Sequence, residues 1–397
     1  MQKLILPVLA ATLIGLNACQ PANKSEQKAT DSVAVATGDT TAMIDAKLPD
    51  PASFGGEVEG KKAQLFILKN KDIQVAISNY GARIVGLLVP DKNGKMTDVA
   101  PGFSTVAEYQ KPDGAFFGPV VGRFGNRIAK GKFTLDGKPY SLELNNNGNT
   151  LHSGPSGFHN HVWDAKQVDD KTVEMTYVSK DGEGGFPGTV TTKVTFSLTD
   201  DDALKIVYSG KTDKATPYNP TSHGFFNLNG EGSGTVNDHV VMINADKYSV
   251  VDKGLIPQGE PASVEGTPFD FRKPTAIGAR VNEKNEQLTF AGGYDHNWVL
   301  NKTKPGEMTT AAEVIGDKSG IKMQVLTTEP AMQFYGGNFF KGTDIGKYGK
   351  PTVYRGAFAM ETQHYPDSPN HPSYPTTILK PGQTYSQTTE YRFSTVK

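Results

Sequence analysis

The chain has 397 residues, 37% of them hydrophobic and 21% charged, with 41 Lys plus Arg against 42 Asp plus Glu for a formal net charge of -1. A nucleic-acid protein would carry a basic surplus or stripe, so the charge balance argues against that class. The single cysteine excludes an intrachain disulfide, a multi-cysteine zinc site and a CxxC redox centre. The 43 glycines and 25 prolines call for many turns, as in a multi-stranded β protein.

The N-terminus reads as an address. Lys3 gives a short positive region, and the mostly apolar run from Leu4 to Leu16 is too short to span a bilayer as a mature helix. Residues 1–18 therefore fit a signal peptide. Leu16-Asn17-Ala18-Cys19 resembles the lipobox of bacterial lipoproteins. That resemblance implies cleavage before Cys19, lipidation of Cys19 and a lipid anchor in a membrane, made stable by more than one acyl chain. It places the protein in a bacterial cell envelope, facing the periplasm, and Gln20 after the cysteine points to the outer membrane. Residues 19–51 are rich in Ala, Thr, Ser, Lys and Asp and lack aromatic side chains, so they are expected to form a flexible tether.

Residues 52–397 read as one large β domain. Ile73, Val75 and Ile77 alternate with polar or small neighbours, as do Val173, Met175 and Tyr177. Val190, Val194, Phe196 and Leu198 follow, then an Asp200-Asp201-Asp202 turn, then Leu204, Ile206 and Tyr208. Period-two patterning broken by frequent turns predicts a mainly β fold, a large antiparallel β-sandwich. Asp136-Gly137 predicts a type I′ hairpin and Asn93-Gly94 another turn. A ligand would sit in a groove lined by strand ends and loops.

The chain has eight histidines, several in polar, aromatic-flanked segments. Each has an ordinary structural reading when taken alone. His159-x-His161 has the residue type of a metal pair, but nothing points to further ligands, so a structural role is expected there and no metal site is assigned. The informative segments are Asn126-Arg127-Ile128, Leu151-His152-Ser153-Gly154, Asn219 to Leu228 around His223, Asp295-His296-Asn297-Trp298, Gln333 to Asn338, and Glu361 to Pro372.

Taken in order, these six elements resemble the aldose 1-epimerase (galactose mutarotase) family, over about Phe66 to Phe393. Ser153 departs from the family's Leu-His-Gly-Gly pattern. The resemblance implies a galactose mutarotase-like supersandwich and an isomerase that interconverts the α and β anomers of a free monosaccharide. It implies Glu361 as general base and His223 as general acid, with Asn126, Arg127, His152, Asp295 and Gln333 binding the sugar. Phe225, Trp298 and Tyr335 are available to cover a sugar face. It implies no cofactor and no metal, and oligomeric state stays unassigned. Three other readings compete: a glycoside hydrolase using Asp295 with Glu361; a non-catalytic sugar-binding lipoprotein, which would have no need of His223 beside Glu361; and an epimerase for sugar phosphates, which would want an extra basic cluster for the phosphate.

Overall fold

The computed structural model describes residues 46–111 and 116–396. The expected signal peptide at 1–18, Cys19 and the tether as far as residue 45 lie outside the described residues. Lys47 and Leu48 are already docked on the β body: Leu48 packs against an apolar cluster, and the Lys47 carbonyl accepts from the Tyr348 hydroxyl at 3.1 Å.

Among the described residues, three large antiparallel sheets form most of the body, beside five two-stranded pairs. The largest has nine strands, in the order Asp164–Asp169, Thr172–Ser179, Val190–Leu198, Ala203–Thr212, Tyr385–Thr395, Ile321–Thr327, Thr309–Ile315, Val240–Ile243 and Thr275–Ala276. A six-stranded sheet runs Phe225–Phe226, Phe358–Gln363, Ala331–Tyr335, Asp295–Val299, Lys247–Tyr248 and Ala262–Ser263. A four-stranded sheet runs Leu65–Lys69, Gln74–Ser78, Arg83–Pro90 and Met96–Asp98. The alternating segments read from the sequence form strands where expected. The α-helices among the described residues, Pro51–Phe54, Val106–Tyr109 and Glu286–Ala291, are each less than two turns long.

One apolar cluster joins the sheets. Val194, Phe196, Ile206, Tyr391 and Phe393 of the nine-stranded sheet belong to the same buried cluster as Phe226, Trp298, Met332, Phe334, Phe358 and Met360 of the six-stranded sheet and Val75, Ile77 and Leu87 of the four-stranded one. This is the expected sandwich, with side chains of facing sheets filling the space between them. Polar bonds pin the two larger sheets together. The Tyr391 hydroxyl donates to the Met360 carbonyl at 2.9 Å, and Gln387 Nε2 donates to the Thr362 carbonyl at 3.0 Å. These bonds hold the Phe358–Gln363 strand on either side of Glu361.

The turns follow their chemistry. Asp136 and Gly137 both have positive φ, +51° and +76°, between the paired strands Lys132–Leu135 and Lys138–Ser141. That is the two-residue type I′ geometry whose twist matches the flanking strands.

Candidate active site

Strand alternation builds one side of the site. In the six-stranded sheet Asn297 stands opposite Gln333, and Gln333 opposite Glu361. Asp295 pairs with Tyr335, Tyr335 with Ala359, and Ala359 with Phe225. Successive side chains point to opposite faces, so these two rows share the face away from the main core. The row between them, His296, Phe334 and Met360, is fully buried on the core side. Trp298 lies on that core face too, its indole N–H donating to the Phe269 carbonyl at 3.1 Å. Of the two roles open to Trp298, a sugar face or the core, the structure gives it the core, because a residue three along from Asp295 in a strand points the other way. Phe225 and Tyr335 do face the cavity.

Loops complete the enclosure. Thr221–Ser222 pairs with Val120–Val121, and the His223 N–H donates to the Pro119 carbonyl at 2.8 Å, which delivers the imidazole over the sheet. Thr150–Leu151 pairs with Arg127–Ile128 and brings His152 beside Asn126. Asn126, His152 and Ser153 have φ of +63°, +52° and +68°. Ser153 sits where positive φ favours glycine, and its hydroxyl compensates by accepting from the Phe124 N–H at 2.7 Å and donating to the Phe124 carbonyl at 3.1 Å. The two loops that carry Asn126 and His152 are tied together by that side chain.

A cavity of about 520 Å³ results, with Asn126, Arg127, His152, His223, Asp295 and Glu361 on its walls. His223 Nε2 lies 3.6 Å from Glu361 Oε1, and both side chains are more than nine-tenths buried. Gln333 departs from its expected place. It does not line the cavity but stands behind Asp295, its Nε2 donating to Asp295 Oδ1 at 2.7 Å. Arg127 Nη2 approaches the other carboxylate oxygen, Asp295 Oδ2, at 3.6 Å. Asp295 is thus fixed from both sides. Asn126 Oδ1 accepts the Arg127 N–H at 2.9 Å, which leaves its amide nitrogen for a ligand.

Desolvation governs the titratable groups. Burial pushes the Glu361 carboxyl well above its ordinary range; the Asp295 charge adds to the shift and Arg127 opposes it. Burial lowers His223 to about 4. Its ring is boxed by Phe116, Phe225 and Tyr335, with ring centroids 5.9, 4.8 and 6.5 Å away. An imidazole with the ordinary value near 6.5 would be partly protonated near neutrality, whereas the apolar box favours the neutral ring. His152 is likewise held well below the ordinary value, by burial first and then by His223, His159 and Arg127.

His152, His223 and Glu361 offer one ligand-type atom each within 4.8 Å of one another, a set that by residue type could hold a metal ion. The hydrogen bonds speak against it. His152 Nδ1 accepts the Asn126 N–H at 3.0 Å, so in the neutral ring Nε2 carries the proton and is a donor without a free lone pair.

The remaining histidines lie elsewhere. His161 turns to Glu59 at 2.9 Å and stacks on Tyr177, and His159 is buried beside Phe116 with its carbonyl accepting from Arg83. His239, His364 and His371 pair with Asp317, Glu329 and Asp367. A second hollow of about 740 Å³, around His364 and Tyr385, contains none of the expected site residues. Sequence reasoning missed Phe116, Leu255, Phe339 and Phe340, which line the main cavity from loops without a repeating pattern, and Phe290, which reaches it from the short Glu286–Ala291 helix.

The sequence profile of the aldose 1-epimerase family matches residues 64–392. Galactose mutarotase of Rattus norvegicus is 42% identical over 354 residues, 89% of this chain and 98% of that protein. Aldose 1-epimerase of Escherichia coli K12 is 37% identical over 338 residues, 84% and 96% of the two chains. The crystal structure of an aldose epimerase homologue from C. elegans superposes with a TM-score of 0.78 at 30% identity, covering 84% of this chain and all of that one.

The tautomer of His152 is open to direct measurement. Nitrogen NMR of the labelled ring is expected to show a neutral Nε2–H form with no titration midpoint near the ordinary imidazole value of about 6.5, because burial shifts it well below that value. A midpoint near 6.5 would remove the donor assignment. With a buried carboxyl and imidazole 3.6 Å apart in one cavity, and sequence and fold likeness over nearly the whole β body, the chain belongs to the aldose 1-epimerase family of isomerases.

Proposed function

We propose that this enzyme interconverts the α and β anomers of free aldohexoses such as glucose and galactose, with Glu361 and His223 as its acid–base pair. The observation that carries the reading is the 3.6 Å approach of His223 Nε2 to Glu361 Oε1 inside the cavity. Ring opening removes the proton of the C1 hydroxyl and delivers one to the ring oxygen; rotation about C1–C2 and closure on the other face complete the inversion. The reaction therefore needs one base and one acid. Glu361 takes the C1 hydroxyl proton and His223 protonates the ring oxygen. On closure the roles reverse, with Glu361 returning its proton to the carbonyl oxygen. His152 Nε2–H and the Arg127 guanidinium donate to oxygens on which negative charge develops. Asp295, oriented by Gln333 and Arg127, accepts from sugar hydroxyls, and Asn126 supplies a further polar contact. Chain residues supply every proton transfer in this scheme.

The pair holds one proton in both arrangements. In the free site burial places it on Glu361 and leaves His223 neutral, which is the arrangement that closes the ring. Sugar hydroxyls entering the cavity restore polar surroundings to His223 and allow the proton to move to it for opening. Two coupled groups titrate as a unit, and kcat/KM reports the free enzyme. Its acid limb is expected near pH 4, where His223 gains a second proton, not near the ordinary imidazole value of about 6.5. The alkaline limb follows loss of the Glu361 proton and lies well above the ordinary carboxyl range. An acid limb near 6.5 would contradict the shared proton.

Polarimetry on freshly dissolved α-D-glucose and α-D-galactose tests the activity itself, read as acceleration over buffer. Replacing Glu361 by Gln is expected to slow relaxation by at least about 100-fold, the low end for a general base. A folded Glu361→Gln chain that relaxes either sugar at nearly the parent rate would remove the base assignment.

We also propose that Cys19 carries the lipid anchor and that the enzyme works at the periplasmic face of a bacterial envelope, in the outer membrane. Support comes from the apolar run from Leu4 to Leu16, the lipobox-like residues before Cys19 and the Gln20 that follows. Growth with an alkynyl fatty acid is expected to label the parent chain and to leave the Cys19→Ser variant unlabelled; equal labelling of both would place the lipid elsewhere.

A further inference from the structure

One cavity wall comes from the long 336–357 connection between the Ala331–Tyr335 and Phe358–Gln363 strands, which contributes Phe339, Phe340 and Lys341. Its own apolar anchorage is thin: Phe339 is 53% exposed and Ile345 49%. Phe340 packs on Phe117 and Phe225 at 5.5 and 5.0 Å, and the Phe339 N–H donates to the Tyr335 hydroxyl at 2.8 Å, so the near end is fixed to the sheet. Arg355 ties the returning end back to the Gly337 and Gly292 carbonyls, and the middle is held by charge. Lys347, with its side chain 2% exposed, donates to the Ala100 carbonyl at 2.8 Å, pairs with Glu231 and lies 3.4 Å from Asp98 Oδ2. Burial alone would lower the Lys347 ammonium, but Asp98 and Glu231 outweigh it and raise it, so the charge is retained.

The adjoining Tyr348 hydroxyl lies 2.9 Å from Asp98 Oδ2 and 3.1 Å from the Lys47 carbonyl, where the chain first meets the body. Asp98 Oδ1 in turn accepts the Leu87 and Ala100 N–H groups, which roots the contact in the four-stranded sheet. The fit is close: a Cβ on Gly346 would overlap the Glu231 carboxylate.

We propose that Lys347 and Tyr348 are positioning residues for the reaction, latching the 336–357 wall to Asp98, Glu231 and the N-terminal segment at Lys47. Neither lines the cavity; they act through Phe339, Phe340 and Lys341. This rests on the aldose 1-epimerase reading of the site. A wall that covers bound sugar without entering the proton transfers contributes alike to ground and transition states, so loosening it raises KM and leaves kcat in place.

The test uses the full chain. Tyr348→Phe removes one hydroxyl and keeps the ring, so it is expected to fold. KM for galactose should rise roughly threefold to tenfold with kcat within about twofold and the pH limbs unmoved. Lys347→Met, paired with Glu231→Gln to relieve the buried negative charge, should raise KM further. Hydrogen exchange without sugar, on the same samples, should quicken at the 339–346 amides. Unchanged exchange in folded Tyr348→Phe would overturn the latch, whatever KM does. Faster exchange with unchanged KM would overturn its role in the reaction. A parent chain inactive on every aldose tried would instead refute the functional reading, and the exchange result alone would then decide the latch.

Discussion

A carboxyl group and an imidazole 3.6 Å apart, both almost wholly removed from water, are what the rest of the molecule has to hold in place. Neither is stabilised there as an ion. Phe116, Phe225 and Tyr335 crowd the imidazole, and Arg127 offsets only part of the cost of burying the Glu361 carboxylate. Left alone, such a pair keeps a single proton and avoids separated charge, because burial penalises both ionised forms. The same low-dielectric setting makes every donor aimed at a reacting oxygen count for more than it would in water. Reactivity and instability of the ionised state thus have one source, which is the exclusion of solvent.

Two different devices hold the pair. Glu361 and Asp295 stand on strands in register, so their separation is set by sheet geometry and stiffened by the core beneath them. His223 and His152 come from loops, where geometry has to be imposed locally. Short strand pairs and backbone bonds fix His223. A run of positive φ values stabilised by the Ser153 hydroxyl fixes His152 and Asn126. Strain in the backbone and polar anchoring of side chains therefore concentrate where the site leaves the sheet.

Much of this was legible in the sequence, for identifiable reasons. Alternation at Val173, Met175 and Tyr177 and at Leu204, Ile206 and Tyr208 marked strands because one face of each is buried. Asp136-Gly137 marked its hairpin because few residue pairs accept two positive φ angles. Glu361, His223, His152, Arg127, Asn126 and Asp295 converge on one cavity, as the ordered motifs implied. What the motifs did not carry was facing and depth. Trp298 belongs to the core because strand parity decides its side. Gln333 supports Asp295 and leaves the cavity wall to it because the Asp295 carboxylate lies within bonding distance. The depressed basicity of His223 depends on aromatic rings from Phe116 and Tyr335, far apart in sequence, so no local pattern announces it.

The register of the six-stranded sheet also constrains how such a site can diversify. A one-residue slip or insertion within Ala331–Tyr335 or Phe358–Gln363 would turn Phe334 and Met360 toward the sugar and bury Glu361 among apolar side chains. Length changes are therefore all but closed to those strands, and substitution at fixed positions is the route left to them. The connections that carry Leu255, Phe339 and Phe340 have no such parity to preserve. The carboxylates Glu361 and Asp295 are thus tied to a lattice that tolerates substitution but not insertion, whereas those connections can lengthen, shorten or be recast without turning either carboxylate away from the cavity.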